Sequence, residues 1–159
     1  MTAEIVTTAA LAGIFYLVLR KVSLPTGSRA RPASEKTELK LENKLTSLFK
    51  EGEAALREGK LGEAEQKFLE VKLSEPRFPR VDNRLGIVYL EKGENEKAVE
   101  AFEQAVREDP TKAARHANLA IAYSQIKKYS LAKKTLERAL ELAPENERYK
   151  RLLEELEKG

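Results

Sequence analysis

Two apolar patterns divide the chain. From Ile5 to Leu19 the run IVTTAALAGIFYLVL carries no charge, and Thr7 and Thr8 are its only polar side chains. From Leu41 onward apolar residues instead return three and four positions apart among charged ones, as in Leu41, Leu45, Leu48 and Gly52 and again in Tyr149, Leu152, Leu153 and Leu156. That spacing lines them up along one face of a helix. The first set predicts a long helix from near Glu35 to Arg57. The last predicts a helix over 147–158 whose remaining faces are charged.

Between these two helices a register of 34 residues holds without insertion. Gly52, Gly86 and Ala120 form one column; Ala64, Ala98 and Ala132 a second; Phe68, Phe102 and Leu136 a third; Pro76, Pro110 and Pro144 a fourth. A repeat of this length is one helical hairpin, which buries its apolar face only by stacking on its neighbours. The small first column lets the two helices of a hairpin approach closely. The alanine and the large apolar residue fill the space between neighbouring hairpins, and the proline stops the second helix. Gly59 and Gly93 are expected to close the within-hairpin turns in the left-handed conformation. Lys127 occupies the same place in the third unit, where left-handed geometry costs up to about 1 kcal/mol.

The unit read from Pro79 has Leu85, Gly86, Tyr89, Ala98, Phe102, Ala105 and Pro110, and that from Ala113 keeps Leu119, Ala120, Tyr123, Ala132, Leu136, Ala139 and Pro144. These residues resemble the tetratricopeptide repeat. The usual early tryptophan is replaced by Asp82, with Leu48 and His116 at the matching places. The unit from Leu45 is the most divergent, as terminal units of a stack commonly are. The resemblance implies an all-α fold: a right-handed superhelical stack of three hairpins, 45–78, 79–112 and 113–146, with a C-terminal capping helix, 147–158. Together they make a repeat domain over 37–159.

In that family the first helices of successive hairpins line a concave groove. Carrying its positions across gives Thr46, Phe49, Glu53 and Leu56; Arg80, Asn83, Ile87 and Leu90; and Ala114, Ala117, Ile121 and Ser124. Arg84 and Asn118 lie one position along. The resemblance thus implies a mostly apolar trough with a polar edge, suited to a helix face or an extended peptide. An opposing possibility is that Phe49, Ile87, Leu90 and Ile121 pack beneath the terminal helices. Chaperone-binding members hold a C-terminal carboxylate with lysine, asparagine and arginine at set places. Here those places are Phe49 and Glu53, Arg84, and Ala114 and Asn118, so that clamp is absent.

The uncharged run reads as a transmembrane anchor over 1–24. A helix from Ile5 to Leu24 spans about 30 Å if Arg20 and Lys21 snorkel to the interface. A signal peptide would carry its basic residues ahead of the apolar run, whereas here Glu4 precedes it. The basic flank predicts a single pass with the N-terminus outside and the repeats cytoplasmic. Residues 25–36, rich in Pro, Ser, Gly and Arg, read as a flexible basic tether. Ala9 and Gly13 form a small-xxx-small pair of the kind that supports helix association, making a homo-oligomer one reading.

Net charge sharpens this division. The formal +3 arises entirely within residues 1–36, where Arg20, Lys21, Arg29, Arg31 and Lys36 outnumber Glu4 and Glu35. The repeat region is neutral, which argues against a nucleic-acid interface. With one histidine, no cysteine and neither a phosphate loop nor an HExxH motif, no cofactor, metal or catalytic residue is expected. His116 sits at a helix-packing position. The expected function is a membrane-anchored scaffold that recruits a protein or peptide through its groove. The alternatives are a self-assembling structural membrane protein and a receptor for targeting segments at an organelle membrane.

Overall fold

The computed structural model describes residues 33–78 and 80–158, with side chains from residue 37 onward. The expected anchor over 1–24 lies outside the described residues, as does most of the tether. Among the described residues no helix is long and apolar enough to cross a membrane. Seven helices follow one another among the described residues: α1 (Ala33–Arg57), α2 (Leu61–Ser74), α3 (Val81–Glu91), α4 (Asn95–Glu108), α5 (Ala113–Gln125), α6 (Tyr129–Leu142) and α7 (Glu147–Lys158). The first helix begins at Ala33, two residues ahead of the start near Glu35 expected from the sequence, and ends at Arg57 as expected. Ala33, Glu35 and Lys36 are all good helix formers.

Helix ends follow the 34-residue register. The second helices stop at Ser74, Glu108 and Leu142, each two residues before its proline. The residue between is extended, with φ of −140° at Glu75, −147° at Asp109 and −145° at Ala143, as the proline ring requires of its predecessor. The within-hairpin turns are left-handed at Gly59 (φ 73°) and Gly93 (φ 75°), and Lys127 adopts the same geometry at φ 60°.

Each hairpin interlocks through the first and third columns. A Cβ placed on Gly52 would lie 2.8 Å from the Phe68 ring, and one on Gly86 would lie 2.6 Å from the Phe102 ring. The glycines are therefore required by the phenylalanines opposite them. In the third hairpin both partners change together, and Ala120 and Leu136 meet within one cluster. Each helix from α2 onward packs on the next, and the first helices α3 and α5 also touch. Three apolar clusters run along the stack, centred on Phe68, Phe102 and Leu136. α7 closes the last one, with Tyr149 buried and Leu152, Leu153 and Leu156 packed beside it.

Candidate functional site

The first helices α1, α3 and α5 carry the residues assigned to the groove, and two polar bridges tie these helices together. Arg84 on α3 donates from Nε (3.0 Å) and Nη2 (2.7 Å) to Glu53 Oε1 on α1. Asn118 on α5 donates its Nδ2 to Asn83 Oδ1 on α3 at 3.0 Å. All four residues are half-buried, so each bond is shielded from full competition with water. The Asn83–Asn118 bond uses one acceptor and one donor of the pair. The Asn83 amide hydrogens and the Asn118 carbonyl oxygen remain, the complement of a peptide group.

Apolar residues flank these bridges unevenly. Ile87 and Leu90 are half-buried against the cluster of Val99, Phe102 and Leu119. Ile121, also half-buried, borders a cavity of about 230 Å³ together with Ala120, Tyr129, Leu136, Leu152 and Leu156, with Ser124 and Glu155 as its polar lining. The capping helix therefore forms part of the wall at this end. Its Leu152 and Leu156 were expected only to cover the last hairpin, and the aromatic Tyr129 was not anticipated at all.

Two assignments are corrected. Phe49 is only 2% exposed and belongs to the core, its ring 5.4 Å from that of Phe68 and 5.3 Å from that of Phe78. The Arg80 guanidinium covers it, 5.0 Å from the ring centroid, so Arg80 is the exposed member of this pair. Ala117 is 3% exposed and sits in the same cluster as Tyr149 of α7. Neither Phe49 nor Ala117 can present its side chain to a ligand. The structure therefore brings Arg80, Asn83, Arg84, Ile87, Leu90, Asn118 and Ile121 to an accessible or partly accessible position.

His116 is buried, with Nε2 2.9 Å from the Pro110 carbonyl oxygen. A carbonyl only accepts, so Nε2 carries the proton and the ring serves the turn between hairpins. Among the described residues no group of three or more metal-ligating side chains converges.

Family profiles described as tetratricopeptide repeat match residues 49–113 and 89–156. The chain belongs to the tetratricopeptide repeat family. Solved structures of the same fold include the first such domain of Spaghetti (RPAP3) bound to the HSP90 peptide SRMEEVD, 22% identical, with a TM-score of 0.70 over 73% of this chain and 92% of that one. The second such domain of human RPAP3, in complex with the HSP70 peptide SGPTIEEVD, is 21% identical with a TM-score of 0.70 over 74% and 98%. The Sgt2 domain from Aspergillus fumigatus is 25% identical with a TM-score of 0.68 over 72% and 78%. No curated protein matches the chain.

Proposed function

We propose that this tetratricopeptide repeat protein is a non-catalytic docking platform, anchored through residues 1–24, whose groove takes an apolar segment of a partner protein. The observation that carries the reading is the Asn118–Asn83 bridge between Ile87 and Ile121 on neighbouring first helices. It offers peptide-group hydrogen bonding beside partly exposed aliphatic side chains. Peptide complexes of the similarly folded RPAP3 domains support binding as the general role. The ligand differs in kind, however. An acidic C-terminus would meet the Glu53 carboxylate, and the adjacent Arg84 is already committed to it. An internal apolar segment fits better.

With the N-terminus outside and the repeats cytoplasmic, the mechanism is recruitment. Confinement near the bilayer raises the effective concentration of the groove for partners on the same membrane, so weak contacts suffice. A photocrosslinker at Leu90 of the full chain, activated in intact membranes, should capture a partner, and alkaline carbonate should leave the protein in the pellet. Ile87→Glu with Ile121→Glu should abolish capture, because two charges enter an apolar contact. The control pair Glu100→Lys with Lys134→Glu should leave capture unchanged. Retained capture by the groove variant overturns the docking site, and release by carbonate overturns the anchor.

A further inference from the structure

Asp82 lies in the first turn of α3 and Glu108 is the last residue of α4, so the antiparallel hairpin brings them together at the end opposite its turn. Asp82 is fully buried. Its Oδ1 accepts from Lys72 Nζ of α2 at 2.5 Å, while Oδ2 has no partner. Glu108 stands within hydrogen-bonding reach of it, with Oε2 3.8 Å from Arg115 Nη1 of α5 and a buried Oε1 that also has no partner. Ionised carboxylates only accept, so two of them side by side leave both oxygens unsatisfied and repel one another. A single proton between Oδ2 and Oε1 removes both defects.

Helix position decides which carboxyl holds it. Asp82 sits at a helix N-terminus, where the backbone favours negative charge, and has Lys72 beside it. Glu108 sits at a helix C-terminus, where negative charge is disfavoured. Burial and the neighbouring Asp82 charge both push the Glu108 carboxyl above its ordinary range. The opposing groups are Arg115, whose Nη1 also donates to the Ala105 carbonyl, and Gln104 on its own helix. Arg77, Arg107 and Asp109 line the adjoining open cleft, and the nearby His116 is bonded to Pro110.

We propose that in the folded protein Glu108 keeps its proton and donates it to Asp82, clasping the second hairpin at its open end with a bond that rising pH breaks. Unfolded Glu108 ionises near 4.5, and the folded carboxyl ionises above that. The clasp's contribution is therefore complete below the unfolded value and is lost as pH rises through the folded one.

The test compares melting of the full chain in detergent with that of Glu108→Gln, whose amide donates to Asp82 without titrating, from about pH 5 to about pH 9. Wild type should lose melting temperature relative to the variant as pH rises across this range. The 13C carboxyl resonance of Glu108 should stay at its protonated shift well above the range of exposed glutamates. Asp82→Asn should move that titration downward, a response that mere packing would not give. A constant difference in melting, or a Glu108 resonance that titrates in the ordinary range, overturns the proposal. Should Glu108→Gln fail to fold, the wild-type resonance alone decides.

Discussion

Replacing Gly86 by alanine sets helix propensity against packing. Alanine is better than glycine within a helix by about 1 kcal/mol, so an exposed site would gain that much. At Gly86 the new Cβ would sit 2.6, 2.7 and 2.8 Å from Cε1, Cδ1 and Cζ of Phe102. Ordinary carbon contacts are about 3.5–4.0 Å, so the ring must retreat by about 1 Å. Phe102 is fully buried and packs among Ala98, Val99 and Leu119, which leave it little room. Overpacking of this kind costs about 1–3 kcal/mol. We therefore expect Gly86→Ala to be destabilising by about 1–2 kcal/mol, and Gly86→Leu by more. The third hairpin supplies the compensating change. Adding Phe102→Leu reproduces the Ala120–Leu136 pairing, so the double variant should be less destabilised than the sum of its parts, by at least about 0.5 kcal/mol. Urea unfolding followed by helical circular dichroism measures all four states. Stabilisation by the single change, or strict additivity in the double, would refute the interlock.

Further outcomes can be measured in the same way. Lys127→Gly should raise stability by up to about 1 kcal/mol, because glycine adopts φ 60° without the Cβ clash; thermal melting checks it, with Gly93→Lys as the reciprocal loss. Tyr123 has its phenol pushed up to about 12 by burial and by its 2.7 Å bond to Glu103, so Tyr123→Phe should remove the most alkaline component of the tyrosine absorbance titration. The folded value exceeds the ordinary value of about 10. This bond's contribution to stability is thus complete below about pH 10 and is lost as pH rises toward about 12.

What could be read from the chain depended on whether a residue's role was local or shared. Glycine at 59 and 93, proline at 76, 110 and 144, and the paired Gly86 and Phe102 act at fixed offsets within one hairpin, so a periodic alignment exposes them. Phe49 shows where that approach stops. Its position within the unit assigned it to the groove, yet Phe68 and Phe78 draw it inward and Arg80 of the next unit covers it. The i, i+3, i+4 pattern of Leu45, Leu48 and Phe49, all buried, was the available signal. Ala117 fell to the same cause, since its neighbour Tyr149 lies outside the repeat. The bridges Glu53–Arg84 and Asn83–Asn118 join separate units through 31 and 35 residues of sequence, a separation at which no local pattern selects one partner over another. Asp82 stood out as an acid in a tryptophan's place, but its ties to Lys72 and Glu108 depend on three helices meeting.

The placement of α7 limits how copies of this chain can join. Stacks of hairpins can lengthen by laying a new hairpin on the exposed face of the last one, within a chain or between chains. Here Tyr149, Leu152, Leu153 and Leu156 occupy that face on the third hairpin, and the outward side of α7 carries charges such as Arg151, Glu154 and Lys158. A second molecule cannot dock on that face while α7 occupies it, so a head-to-tail contact there first requires this helix to move away.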